Sequence, residues 1–198
     1  MSNSLPQLQP SNPTMGNAFT RWLGRSLLRL SGWKVTGELP DAPKFIAAAA
    51  PHTSNWDWVF AMYTLLALGI RINYMIKHTT FWWPLSIVLK ATGAFAVDRS
   101  SPSGLIDSVR QQVLSADKVV FVITPEGTRK RVDQWKTGFL RLSYATGLPL
   151  LMVSWDYPSK TVQLGPEMPL TGDIDKDLEA VREHFRQFTG GRPEYQSP

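Results

Sequence analysis

Lys44-Phe45-Ile46-Ala47-Ala48-Ala49-Ala50, bounded by Pro43 and Pro51, leads into His52-Thr53-Ser54-Asn55-Trp56-Asp57 and then an apolar stretch ending at Gly69. A short, continuous apolar run between two prolines reads as a buried strand, because proline cannot donate to a strand ladder. Residues 55–68 read as a helix that Gly69 closes. A buried strand followed by a helix is the repeating unit of α/β folds.

Outward from this unit the alternation continues. The pattern predicts strands over 72–76, 94–97, 119–123, 148–153 and 161–164, the last ending at Gly165-Pro166. It predicts helices over 83–91, 103–115, 137–145 and 174–188. The expected fold class is α/β: a single domain over residues 15–190, with a mixed, mostly parallel sheet flanked by helices and an N-terminal amphipathic helix. Residues 1–14 are rich in Ser, Asn, Gln and Pro and read as a disordered tail; residues 191–198 read as frayed. No internal repeat and no second domain boundary are visible.

The N-terminal helix is expected within residues 15–32. Phe19, Trp22, Leu23, Leu27 and Leu30 recur at helical spacing, and Arg21, Arg25 and Arg29 fall on another face. Such a helix suits the interfacial region of a membrane, and it equally suits packing against the domain. Start residues 1–14 lack the apolar core of a signal peptide, so none is expected. The apolar run 58–70 is too short to span about 30 Å of hydrocarbon, and Pro84 and Lys90 interrupt the run 81–97. No transmembrane helix is therefore expected.

The chain of 198 residues has formal net charge +5, eight Trp and no Cys. The lack of cysteine excludes disulfides, thiolate metal sites and a cysteine nucleophile. Excess positive charge favours anionic partners. Tryptophan favours both cores and membrane interfaces. His52, His78 and His184 show no metal-binding spacing, and neither a Gly-x-Ser-x-Gly elbow nor a phosphate-cradling Gly-rich loop is present. No nucleic-acid recognition motif accompanies the charge. Neither a metal nor a cofactor is expected.

His52 and Asp57 are a His-x4-Asp pair just beyond one strand. Imidazole takes a proton near neutral pH, and a carboxylate on its other nitrogen can fix the tautomer. Thr124-Pro125-Glu126-Gly127-Thr128-Arg129 follows another strand. In open α/β sheets, ligand sites collect beyond the carboxyl ends of strands, where both motifs fall.

His52-Thr-Ser-Asn-Trp-Asp57, Gly93-Ala-Phe-Ala-Val-Asp-Arg99 and Pro125-Glu-Gly-Thr-Arg129 together resemble the ordered motifs of the glycerophospholipid acyltransferase family, the 1-acylglycerol-3-phosphate (lysophosphatidic acid) acyltransferases. The resemblance runs from about Phe45 to Val153 and makes residues 15–190 an acyltransferase domain. It implies an enzyme of phospholipid biosynthesis that moves a fatty acyl group from a thioester, acyl-CoA or acyl carrier protein, to a hydroxyl of a lysophospholipid. By that resemblance His52 is the general base, Asp57 orients it, and the hydroxyl attacks the thioester directly.

The resemblance assigns Glu126, Gly127, Thr128 and Arg129 to the phosphate head. Gly127 permits close backbone approach, and Arg129 offers a fork suited to phosphate. Arg99 is a second phosphate candidate, or a salt-bridge partner of Asp98 or Asp107. Lys130 stands where the family usually has a small polar residue. In Leu148-Pro149-Leu150-Leu151-Met152-Val153 the proline comes early, with Met152 near the strand's end. Expected partners are the lysophospholipid, the thioester donor and an anionic membrane surface, with no nucleic acid. The expected location is peripheral, on the cytoplasmic face of the cell membrane. The alternative reading is a non-catalytic lipid-binding or membrane-surface protein on the same fold.

Overall fold

The computed structural model describes residues 5–97 and 102–197. Within them lies a seven-stranded sheet: β1 (Lys34–Gly37), β2 (Lys44–Ala50), β3 (Asn73–Lys77), β4 (Ala94–Val97), β5 (Val119–Ile123), β6 (Leu150–Asp156) and β7 (Thr161–Met168). The spatial order is β1-β7-β6-β2-β5-β3-β4. Only β6 and β7 pair antiparallel; the other neighbours are parallel. The helices are α1 (Ala18–Ser31), α2 (Trp56–Leu68), α3 (Leu85–Ala91), α4 (Pro102–Ser115), α5 (Gly138–Thr146) and α6 (Ile174–Phe185). This is the expected α/β class with a mixed, mostly parallel sheet.

The central strand β2 explains the sandwich. Successive side chains point to opposite faces of a strand. Phe45, Ala47 and Ala49 join one core with Leu28, Leu65, Leu68 and Trp155 beneath α1 and α2. Ile46, Ala48 and Ala50 join the other with Val113, Phe139, Leu140 and Phe185 beneath α4, α5 and α6. Both faces are covered, so an apolar run without polar alternation is required.

Helix α1 docks on α2 through Gly24. A Cβ there would lie 2.3 Å from the Ala67 backbone nitrogen, so the two helices meet backbone to backbone. Helix α6 is tied down by Asp177, which is buried and accepts from the Tyr144 hydroxyl at 2.5 Å and the Thr171 amide at 2.9 Å. Among the described residues no helix is long and apolar enough to cross a membrane.

Four features depart from the sequence expectations. Strand β1 was not anticipated, because only Val35 of its four residues is buried and a short edge strand carries no alternation. Strand β7 does not stop at Gly165-Pro166 but continues to Met168. A register shift opposite β6 absorbs these two residues, and β1 pairs with β7 only through Leu164, so the missing Pro166 N–H has no ladder partner to lose.

Residues 5–14 are packed rather than loose. The Asn12 side chain is buried and donates to the carbonyls of Pro40 at 2.8 Å and Ala42 at 3.0 Å. Thr14 bridges to Ile70. The C-terminal stretch is packed as well: the Arg192 amide donates to Thr53 Oγ1 at 3.0 Å, and Ser197 Oγ accepts from the Val132 amide at 3.1 Å. Polar composition reads as solvated, but here side-chain amides and hydroxyls satisfy buried backbone groups instead.

Candidate active site

Strands β2, β5 and β6 run parallel, so the segments after Ala50, Ile123 and Asp156 leave the same edge of the sheet. The segment after β2 turns at Pro51 to His52 and enters α2, whose first turn holds Asp57. A carboxylate there faces the positive end of the helix dipole. Asp57 is fully buried. Its Oδ2 accepts from the amides of Thr53 and Ser54, each at 2.9 Å, which curls the loop back over the carboxylate. The same oxygen lies 3.1 Å from His52 Nδ1.

That contact has the distance of an ion pair but lacks the alignment of a linear hydrogen bond, since Nδ1 has no well-directed acceptor. Its attraction is therefore chiefly electrostatic. With Nδ1 turned toward Asp57, Nε2 is the nitrogen left to a reactant. Asp57 Oδ1 accepts from the Tyr157 hydroxyl at 2.5 Å.

Glu126 comes from the segment after β5 and is 3% exposed. Its Oε1 accepts from the His52 amide at 2.9 Å, so the two motifs touch directly. Its Oε2 is buried without a partner among the described residues. Burial raises its pKa from 4.5 to about 7; hydrogen bonds from backbone amides hold the rise back and the Asp57 charge adds to it.

This shift has a stability consequence. Between pH 4.5 and about 7 the folded protein holds a proton that the unfolded chain has released. The stabilising contribution is thus complete below pH 4.5 and is lost as pH rises through about 7. Glu126→Gln keeps an oxygen for the His52 amide and removes the titration. Its Tm advantage over wild type is expected to grow from pH 5 to pH 8, by roughly 4–12 °C for about 2–3 kcal/mol. Thermal melts in which the two proteins keep a constant difference across that range would refute the shift.

Gly127 has φ of +67°, a left-handed conformation that side chains rarely adopt. Lys136 lies over it, with three side-chain atoms 3.0 Å from where a Cβ would stand. Thr128 Oγ1 accepts from the Lys130 amide at 3.3 Å. Arg129 lines a cavity of about 950 Å³ that His52, Gly127 and Thr128 also line. Lys130, Lys136 and Arg141 line the same cavity. Among the described residues none of Arg129, Lys130, Lys136 and Arg141 pairs with a carboxylate. Cations without carboxylate partners make the cavity attractive to an anion.

The remaining lining includes Met62, Ile72, Met75, Ile76, Phe121 and Val122, all apolar. One cavity therefore offers an imidazole, several cations and apolar side chains. Three or more His, Cys, Asp or Glu side chains do not gather into a metal site among the described residues. Arg99 and Asp98 lie outside the described residues. Sequence reading missed Lys136, Arg141 and Tyr157. Lys136 and Arg141 carry no signal beyond their charge, and Tyr157 reaches Asp57 across 100 residues of sequence.

An α/β sheet with a His–Asp pair and a cationic loop at one edge defines the class. Residues 34–155 match the acyltransferase family, and the chain belongs to it. The crystal structure of the 1-acyl-sn-glycerophosphate (LPA) acyltransferase PlsC from Thermotoga maritima is similar in fold. Its TM-score is 0.55 at 16% identity, covering 85% of this chain and 78% of that one. No curated protein sequence matches the chain.

Proposed function

We propose that this enzyme transfers a fatty acyl group from acyl-CoA or acyl carrier protein to the free hydroxyl of a lysophospholipid such as 1-acylglycerol-3-phosphate. The observation that carries the reading is the shared cavity of His52 and the Gly127–Arg129 loop. His52 Nε2 takes the acceptor's proton as its oxygen attacks the thioester carbonyl. Asp57 stabilises the imidazolium that forms. The tetrahedral intermediate collapses with loss of the thiolate, which receives the proton from His52. Arg129, with Glu126, Gly127 and Thr128 shaping its loop, holds the phosphate, and the apolar lining takes acyl chain.

The wild-type protein incubated with a long-chain acyl-CoA is expected to release free thiol only when a lysophospholipid is added. Acyl carrier protein in place of CoA identifies the preferred donor. Should no acceptor in a panel of lysolipids raise thiol release above hydrolysis, a non-catalytic lipid-binding protein becomes the better reading.

We infer a peripheral position at a bilayer, on the cytoplasmic face, and the exposed residues of α1 support the membrane contact. Phe19 and Trp22 are exposed and stacked at 5.8 Å, and Leu30 is exposed on the same helix. Arg25 and Arg29 are exposed beside them, while Arg21 lies against Gly69. Basic residues near an anionic surface contribute about 1 kcal/mol each. A Phe19→Ser/Trp22→Ser double variant is expected to sediment with phosphatidylglycerol vesicles about tenfold less than wild type. Equal sedimentation would remove α1 as the membrane contact.

A further inference from the structure

We propose that Tyr157 is a positioning residue for the His52–Asp57 pair, holding the second carboxylate oxygen and drawing charge onto it while the Thr53 and Ser54 amides keep the first beside His52 Nδ1. The inference rests on the acyl-transfer reading above and adds to it a residue from a third segment. The two oxygens of Asp57 are divided. Oδ2 takes the Thr53 and Ser54 amides at 2.9 Å and faces His52 Nδ1 at 3.1 Å. Oδ1 takes the Tyr157 hydroxyl at 2.5 Å. A carboxylate can rotate about its Cβ–Cγ bond, and a donor on Oδ1 limits that rotation.

Tyr157 is itself held firmly. It follows β6, the parallel neighbour of β2, so its turn arrives beside the His52 segment. The ring meets Trp33 edge-on at 5.0 Å and Phe60 at 6.0 Å. Its amide donates to the Thr189 carbonyl at 2.9 Å. Gly191 approaches so closely that a Cβ there would stand 2.6 Å from the Tyr157 Cζ. The same C-terminal segment reaches Thr53 through the Arg192 amide. Burial, and then the contact with Asp57, raise the phenol pKa well above its ordinary value, so the hydroxyl remains a donor. The phenol keeps its proton throughout and takes no part in the acyl-transfer step.

The groups acting on His52 come from several elements. Asp57 faces it from α2, the Glu126 carboxylate meets its amide from the segment after β5, and Arg129 shares its cavity. Ser54 also interacts with the Tyr157 hydroxyl. Tyr157→Phe changes none of these charges. It leaves Asp57 with one donor fewer, so more negative charge faces His52 and the imidazolium is favoured. The acid limb of kcat/KM should move to higher pH.

Three readouts test this on the full chain. For Tyr157→Phe, kcat at the plateau is expected to fall about tenfold with KM nearly unchanged. The acid limb is expected to rise by about half a pH unit. The His52 ring titration, followed by NMR without substrate, should rise with it. The NMR readout stands even if no acceptor is found, so failure of the acyl-transfer reading and failure of this proposal are distinguishable. A lowered Tm with unchanged His52 titration would make Tyr157 merely structural and overturn the proposal. If the Phe variant fails to fold, 3-fluorotyrosine at position 157 keeps the size and strengthens the donor. It should move the His52 titration downward, and no movement there would likewise overturn the proposal.

Discussion

His52→Ala is expected to lower kcat for lysophospholipid-dependent thiol release by about 10³-fold, with KM for both substrates little changed. The His52 side chain lines the cavity and is 15% exposed, so its removal opens space already connected to solvent. The Thr53 and Ser54 amides still reach Asp57 Oδ2, and the His52 main-chain amide still reaches Glu126 Oε1. The loop therefore keeps its hydrogen bonds while the proposed base is lost. The proposed head-group contacts lie on Arg129 and its neighbours, which the substitution leaves in place. A large loss in kcat at constant KM is the signature of a group acting only as the transition state forms. Wild-type turnover in His52→Ala, measured in the same assay with the same acceptor, would remove imidazole from the chemistry.

The parts of this design differ in how readily the sequence shows them. Strands β2, β4 and β5 fall on the residues expected of them, because each is a short apolar run with proline, glycine or polar residues at its ends. Strand β1 escapes because its pairing with β7 depends on neighbours, not on its own pattern. The packing of residues 5–14 escapes because one buried asparagine, Asn12, decides it, and composition cannot locate such a residue. At the site, the His-x4-Asp spacing is legible, since a loop entering a helix can curl a carboxylate back to it. The direct bond between Glu126 and the His52 amide is not legible, because it depends on β2 and β5 being neighbours. Tyr157 is hidden for the same reason, through β2 and β6.

The largest combined loss of activity and stability is expected at Asp57, and two substitutions separate the causes. In Asp57→Asn the two backbone donors, Thr53 and Ser54, require an acceptor at the Oδ2 position, so the amide oxygen settles there. Its NH2 group then faces Tyr157, whose hydroxyl oxygen can accept. The loop keeps its hydrogen bonds, and His52 Nδ1 still faces an oxygen, but the negative charge is gone. A unit charge 3.1 Å away is the main stabiliser of the imidazolium, so kcat is expected to fall about 10³-fold while Tm changes by only a few degrees. Asp57→Ala removes the acceptor as well. Two buried amides lose their partner, at about 1–3 kcal/mol for each donor left unsatisfied, and the half-buried Tyr157 phenol loses its bond to the carboxylate. That variant should match the Asn variant in activity and unfold at markedly lower temperature. Thermal melts and thiol-release assays on the pair separate the two roles. If Asp57→Asn kept wild-type kcat, carboxylate charge would have no part in the reaction. If both variants melted together, the Thr53–Ser54 loop would not depend on Asp57.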